Sequence, residues 1–278
     1  MIEPTATPDV VLSTLGITEP QDIDIEAIAY ACGALITREP LSGCEANIIG
    51  VGDRAVITVN STSIETRQRF SAGHELGHWM RDRGQSAFGC SDRQMESEWT
   101  ANNPETRANR FASDLLLPKS MFVPLAKGKP ITTDSVSALA AVFRMSRTAT
   151  AMRLVEHGSF PAIIAYYEAG QKKWSIPKRG EVPFYLKPSD LPAPETVTAT
   201  MFDDPSVSED SDEIRADHWF TAERSSKYYI RESCFRAGPN SVITLLWWEN
   251  EQQIIDLNEA EESRAERRSD GSWERERE

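Results

Sequence analysis

The stretch His74-Glu75-Leu76-Gly77-His78 decides how this chain is interpreted, because it places two histidines four positions apart. On a helix, residues four apart share a face, so both imidazoles could bind one metal ion. Glu75 lies at the edge of that face, from which it could reach a bound water without taking a ligand position. Two imidazoles and a nearby carboxylate are the groups that zinc-assisted peptide hydrolysis requires.

The residues before this motif predict a strand followed by a helix. The apolar run Ala55–Val59 is typical of a strand that ends near Asn60. Thr62 and Glu65 have the spacing of a capping box, which predicts that the helix begins near Ser63. The chain has four histidines in 278 residues, and two of them stand in the motif. A surface helix with two incidental histidines is therefore the weaker interpretation.

A zinc site needs a third protein ligand. The form of the motif with a third histidine requires glycine and histidine at two positions that here hold Arg81 and Gly84. A carboxylate is therefore expected, as in catalytic sites with two histidines and one glutamate. Glu105 is the favoured candidate. The alternatives, each of which could equally be a solvated surface charge, are Asp92, Glu96, Glu98 and Asp114.

Residues 104–118 predict a second helix around Glu105. Pro104 suits the first turn of a helix, and Pro118 would stop it. Glu105 and Asn109 are four positions apart, so Asn109 could hydrogen-bond a ligating imidazole from behind. An apolar stripe beside them would pack this helix against the first; it consists of Ala108, Phe111, Ala112 and Leu115.

The two segments together resemble the ImmA/IrrE family of metallo-endopeptidases over roughly residues 20–157. The resemblance lies in Arg67-Gln68-Arg69-Phe70-Ser71-Ala72-Gly73-His74-Glu75-Leu76-Gly77-His78, in Glu105-x-x-Ala108-Asn109-x-Phe111-Ala112-x-x-Leu115-Leu116-x-Pro118, and in the strand ending at Val59-Asn60. It implies a zinc-dependent protease, often of mobile elements or stress responses, that inactivates a helix-turn-helix repressor by cutting it. It also implies that His74, His78 and Glu105 bind zinc and that Glu75 is the general base for attack by metal-activated water.

Three further features of the expected enzyme are less well defined by the sequence. Gly73 stands where the family usually has alanine or a similar small residue, and glycine is mildly unfavourable in a helix. The substrate is expected to add as a strand along the strand before the active-site helix. Candidates for stabilising the oxyanion include Arg69, Arg81 and tyrosines or histidines elsewhere.

Composition and charge predict a cytoplasmic protein. No run approaches the length of a membrane span, and the N-terminus lacks the pattern of a secretion signal. The cysteines are scattered without paired spacing, which suits reduced thiols; they are Cys32, Cys44, Cys90 and Cys234. Cys90 could approach the metal, although an ordinary thiol is favoured. The net charge of −13 argues against broad nucleic-acid binding by the whole chain.

Residues 135–154 resemble a helix-turn-helix. Its predicted core consists of Leu139, Phe143, Ala149 and Leu154, and Ser146 would cap the second helix. Between positions 119 and 158, six basic residues (Lys119, Lys127, Lys129, Arg144, Arg147 and Arg153) stand against two acidic ones (Asp134 and Glu156). Because this excess is modest, helical packing or docking of the repressor is favoured over DNA reading.

From Ser159 onward the pattern changes to strands. Residues 160–167 and 172–176 predict a hairpin, and further strands are expected over residues 226–233, 241–248 and 252–257. The acidic stretch 201–213 is expected to be a solvated loop. The polar residues from about 258 are expected to form a flexible tail.

The sequence therefore predicts an α+β fold with four parts. These are a zincin-like metallopeptidase domain (1–120), a helical, helix-turn-helix-like module (121–158), a mixed, β-rich C-terminal regulatory or partner-binding domain (159–257) and the polar tail (258–278). The predicted function is zinc-dependent cleavage of a protein, with Glu75 as the base. The alternative is a non-catalytic regulatory module that binds protein or DNA and has a structural or vestigial metal site. Glu75 favours the enzyme, because a purely structural site needs no base.

Overall fold

The computed structural model describes residues 2–82, 103–222 and 224–260. The chain forms two compact units, one from residues 1–125 and 139–150 and the other from residues 126–138 and 151–278. Helices and two separate sheets confirm the predicted α+β class. Within the described ranges, no helix combines the length and the apolar character needed to cross a membrane.

The sheet of the first unit consists of β1 (Ala34–Glu39), β2 (Ala46–Val51) and β3 (Arg54–Asn60). β3 lies in the centre, parallel to β1 and antiparallel to β2. The predicted end of the strand at Asn60 is confirmed. However, substrate cannot add to β3 as expected, because both of its edges are already paired; β1 and β2 form the edges of this sheet.

The helices of the first unit are α1 (Pro8–Thr14), α2 (Ile25–Ala31), α3 (Glu65–Arg81), α4 (Pro104–Leu116) and α5 (Lys119–Ala126), the last of which ends at the boundary of the unit. α3 packs on the sheet through Trp79, whose ring covers Gly50 so closely that a Cβ there would lie 2.6 Å from it. The indole Nε1 of Trp79 donates to the carbonyl oxygen of Cys32 at 2.9 Å. α3 is thereby fixed against both β2 and the end of α2.

The predicted capping box at the start of α3 is wrong. The helix begins at Glu65, two residues later than expected, and its N-cap Ile64 provides no side-chain hydrogen bond. Thr62 instead donates through its backbone N–H and its hydroxyl to Oδ1 of Asn60, at 3.2 and 2.9 Å. The side chain of Asn60 therefore holds the turn between β3 and α3, and the Thr62 hydroxyl is engaged outside the helix.

The limits of α4 agree with the prediction. Pro104 is its first residue, and the helix ends two residues before Pro118. Asn103 caps it, because its side-chain oxygen accepts from the backbone N–H of Glu105 at 3.0 Å.

Two helices, α6 (Thr133–Phe143) and α7 (Arg147–His157), form the helix-turn-helix-like segment. Three of its predicted core residues are buried, namely Leu139, Phe143 and Leu154, whereas Ala149 is half-buried. The predicted cap is confirmed, because Oγ of Ser146 accepts from the N–H of Ala149 at 3.2 Å. Arg153 is buried and pairs with Glu156 at 3.2 Å, so it is not presented to a phosphate backbone.

The sheet of the second unit has the order β5-β4-β8-β7-β6, with all neighbours antiparallel. Its strands are β4 (Ala162–Glu168), β5 (Gln171–Pro177), β6 (Glu209–Arg215), β7 (Tyr229–Gly238) and β8 (Ser241–Trp247), and α8 (Val197–Asp203) packs on it. The predicted hairpin is confirmed: Ala169 and Gly170 form its turn with positive φ angles of 50° and 74°. A core containing Tyr167, Trp219 and Trp248 lies against this sheet.

Two predictions for the second unit are wrong. The acidic stretch expected to be a loop contains the end of α8 and the edge strand β6, whose charged side chains stay in water because they lie at the border of the sheet. Residues 252–260 are helical rather than a strand. Ile254, Leu257 and Ala260 are buried while Ile255 is 47% exposed, a spacing that suits a helix. Residues 261–278 of the predicted tail lie outside the described residues.

Candidate metal centre

The candidate metal centre is built on the contact between α3 and α4. Gly73 and Gly77 are four residues apart on α3. They face Ala112 and Ala108, which are four residues apart on α4. A Cβ on Gly77 would lie 2.9 Å from both Cα and the carbonyl oxygen of Ala108. The absence of side chains at these positions lets the backbones approach closely. This approach brings Glu105, one turn before Ala108, towards the histidines of α3.

The three predicted ligands converge in the structure. Nε2 of His74 and Nε2 of His78 are 3.1 Å apart. Oε2 of Glu105 is 3.1 Å from Nε2 of His74, and its Oε1 is 3.4 Å from Nε2 of His78. Both histidines are buried and Glu105 is half-buried, so the cluster reaches solvent chiefly at the carboxylate.

These distances fit the donor set of a small divalent cation. Ligands about 2.0–2.1 Å from a tetrahedral zinc ion would lie roughly 3.3–3.4 Å from one another. The imidazoles and carboxylate of His74, His78 and Glu105 are within a few tenths of an ångström of that separation. Hydrogen bonds with His74 and then His78 hold the pKa of Glu105 well below its usual range, so its carboxylate is charged at neutral pH. Two nitrogens and a carboxylate can therefore act as ligands together.

The outer nitrogen of each imidazole faces an oxygen. Oδ1 of Asn109 lies 2.8 Å from Nδ1 of His74, where the sequence predicted support from behind the ligand. A carbonyl oxygen can only accept, so this contact places a hydrogen on Nδ1 and leaves Nε2 as the nitrogen that can bind a metal ion. Asp82, which the sequence reasoning missed, places Oδ2 3.4 Å from Nδ1 of His78. Its position four residues after His78, directly beyond the last residue of α3, was the signal that could have identified it.

Glu75 is buried, with 1% of its surface exposed. It adjoins His74 on α3 but is not one of the three converging ligands. A carboxylate beside the site, rather than in the ligand set, is the position that a proton acceptor needs.

The rival residues have other contacts or lie outside the described residues. Asp114, considered as a ligand, pairs with Arg110 at 3.8 Å on the outer side of α4. Arg69 donates from Nη2 to the carbonyl oxygen of Ile23, and Arg81 donates from Nη1 to that of Thr5. Those contacts do not identify either arginine as the oxyanion-stabilising group. Four residues that the sequence analysis considered near the metal lie outside the described residues: Cys90, Asp92, Glu96 and Glu98.

Comparison with known proteins identifies the class of this site. Residues 33–155 match the Peptidase_M78 family, described as the IrrE N-terminal-like domain, and this span contains α3, α4 and all three candidate ligands. The fold and site thus define a metallopeptidase-type domain. The match over residues 33–155 confirms the predicted resemblance to the ImmA/IrrE family.

A solved structure resembles a larger part of the chain. A Mycobacterium tuberculosis transcriptional regulator is similar over 86% of this chain and 74% of its own, with a TM-score of 0.58 and 15% sequence identity. At this identity the similarity shows a shared fold. No curated protein matches the chain.

Proposed function

We propose that the protein is a zinc-dependent endopeptidase that cleaves another protein. The observation that carries this proposal is the convergence of His74, His78 and Glu105 to 3.1–3.4 Å inside a Peptidase_M78 domain. Two imidazoles and one carboxylate are the ligand set of catalytic zinc sites that keep a fourth position open. The separation of Glu75 from this set supports an enzyme over a structural metal site.

Each side chain has a distinct role in this proposal. His74, His78 and Glu105 hold the metal, while Asn109 fixes the orientation of His74 through its Nδ1. When bound, the zinc ion would lower the pKa of a water molecule towards neutrality and polarise the scissile carbonyl. Glu75 then accepts the proton of the attacking water and delivers it to the leaving amine. Glu75 is almost fully buried, so its carboxylate is held inside the protein and does not extend into solvent.

The proposed substrate is a helix-turn-helix transcriptional repressor. This assignment rests on the family resemblance, in which such repressors are inactivated by cleavage. A substrate segment that binds as an added strand would pair with β1 or β2, since β3 has no open edge.

Cleavage during co-expression tests the proposal directly. The repressor encoded nearest to this gene is expressed with the wild type, with Glu75→Gln and with the control Glu65→Gln, which changes an exposed glutamate in the first turn of the same helix. We expect a repressor fragment with the wild type and with Glu65→Gln, and none with Glu75→Gln. All three proteins should bind one equivalent of zinc, because neither glutamate is a ligand.

Two results would contradict this assignment. Equal cleavage by Glu75→Gln would remove Glu75 from the mechanism. Absence of a fragment from zinc-loaded wild type, across a panel of helix-turn-helix repressors, would favour a regulatory module with a structural metal over an enzyme.

A further inference from the structure

The carboxylate of Asp82 lies beside the imidazole of His78, on the side of the ring that faces away from His74 and Glu105. It follows the last residue of α3, and its backbone N–H donates to the carbonyl oxygen of His78 at 2.8 Å. This bond fixes Asp82 one helical turn after His78. Its side chain is 1% exposed, and its Oδ2 lies 3.4 Å from Nδ1 of His78, whose side chain is also 1% exposed.

The second oxygen of Asp82 ties it to α4. Oδ1 accepts a hydrogen bond from Nη2 of Arg107, which stands two residues after Glu105. A buried carboxylate is strongly disfavoured unless it is paired, and Arg107 provides that pair. Asp82 is therefore held by the same helix that supplies the carboxylate ligand, although it touches the cluster only through His78.

A carboxylate influences which nitrogen of a neighbouring imidazole carries the hydrogen. Asp82 Oδ2 and His78 Nδ1 lie at an ion-pair distance without forming a hydrogen bond, and a negative charge beside Nδ1 favours a hydrogen on that nitrogen. With a hydrogen on Nδ1, Nε2 of His78 is the nitrogen left to bind a metal ion beside Glu105 and His74. Asn109 imposes the same state on His74 through a neutral carbonyl group. Two different residues thus face the two ligand histidines from behind, Asn109 of α4 and Asp82 directly after α3.

We propose that Asp82 is a positioning residue for the metal centre, which holds His78 with Nε2 directed at the metal and is itself anchored by Arg107. This inference rests on the proposed function, because it assumes that the cluster binds a metal. If Asp82 positions His78, its removal should weaken metal binding as well as remove the stability that its ion pair with Arg107 provides. Partners of this kind behind a ligating histidine typically change metal affinity by about 10–100-fold.

Two variants separate positioning from simple stabilisation. Asp82→Ala and Arg107→Gln both break the ion pair between α3 and α4, but only Asp82→Ala removes the acceptor that faces Nδ1 of His78. Zinc affinity is measured by competition with a chromophoric chelator, and the unfolding midpoint of each metal-free protein is measured alongside. We expect zinc binding to weaken by about 10–100-fold in Asp82→Ala and by a smaller factor in Arg107→Gln, in which the carboxylate remains beside His78 but has lost its anchor.

Cobalt(II) provides a second readout on the same proteins. Its visible absorption reports the geometry of the ligand set, so we expect an altered spectrum for Asp82→Ala and a smaller change for Arg107→Gln. A zinc affinity of Asp82→Ala within about threefold of the wild-type value would overturn the positioning role. Failure of the wild type to bind zinc would instead overturn the proposed function, and this inference with it.

The tautomer of His78 can be read in the wild type if Asp82→Ala does not fold. Long-range ¹H–¹⁵N correlation spectra of protein labelled at histidine distinguish a hydrogen on Nδ1 from one on Nε2. In the zinc-loaded protein we expect His78 to carry its hydrogen on Nδ1 and to bind the metal through Nε2. A hydrogen on Nε2 in the zinc-loaded wild type would refute the assignment to Asp82.

Discussion

The contact between α3 and α4 gives a sharp prediction for Gly77→Ala. A methyl group at this position would meet Cα and the carbonyl oxygen of Ala108 at 2.9 Å and Cβ of Phe111 at 3.1 Å. Carbon atoms normally approach to about 3.5–4.0 Å. The overlap with Cα is therefore roughly half an ångström or more, and it falls on backbone atoms of α4 that cannot rotate away. Relief requires the two helices to separate.

The expected cost follows from two opposing effects. Overpacking of this kind destabilises by about 1–3 kcal/mol. Replacing glycine with alanine inside a helix contributes about 1 kcal/mol in the other direction. We therefore expect Gly77→Ala to lower the free energy of unfolding of the metal-free protein by up to about 2 kcal/mol. Its larger effect should be on zinc, because Glu105 lies one turn from the displaced Ala108.

The metal-binding effect is larger because ligand geometry tolerates little movement. Metal–ligand distances in proteins hold to about 0.2 Å, whereas the methyl group demands a helix shift of several tenths of an ångström. We expect zinc affinity to fall at least tenfold, about 1.4 kcal/mol, in a chelator competition assay.

Gly73→Ala is the matched control on the same face of α3. Its methyl group would meet Cδ1 of Leu116 at 3.2 Å and Cβ of Ala112 at 3.3 Å, so a small movement of the leucine side chain relieves much of the contact. The helix-forming preference of alanine should then prevail, with unfolding free energy and zinc affinity at or slightly above the wild-type values. If Gly77→Ala and Gly73→Ala bind zinc equally well, the argument that close backbone approach sets the ligand geometry is refuted.

Two further predictions concern a hydrogen bond at the metal centre and the response of the second unit to pH. Asn109→Ala should weaken zinc binding by about tenfold while leaving the fold intact, because it removes the acceptor for Nδ1 of His74; an unchanged zinc affinity would exclude that support. Burial raises the pKa of Tyr167, whose hydroxyl donates to the carbonyl oxygen of Ser189 at 2.7 Å. Since its phenol stays neutral in the folded state, the stability it contributes is present below its unfolded pKa of about 10 and declines as the pH rises further. Urea unfolding of the wild type and Tyr167→Phe should therefore show the wild-type advantage shrinking above about pH 10, whereas a constant difference would contradict this burial effect.

The sequence by itself identified the features that depend on neighbours along the chain. The spacing of His74 and His78 places them on one helical face whatever the helix packs against. Pro104 and Pro118 mark the limits of α4 because proline acts on the backbone locally. Glu105 and Asn109 were predicted in the same way, from a four-residue spacing, and the structure places both beside the histidines.

Other features depend on contacts between residues far apart in the sequence, and only the tertiary structure determined them. The central place of β3 could not be read from its own apolar pattern, because pairing depends on which strands approach its two edges. β6 was missed because its charged residues suggest a loop, yet an edge strand can leave such side chains in water. Asp82 has the four-residue spacing that suits a contact with His78. Its second contact, with Arg107, joins residues 25 positions apart and is visible only in the tertiary structure. The need for glycine at position 77 depends on α4, which packs against it, because close approach between backbones is a property of two helices together.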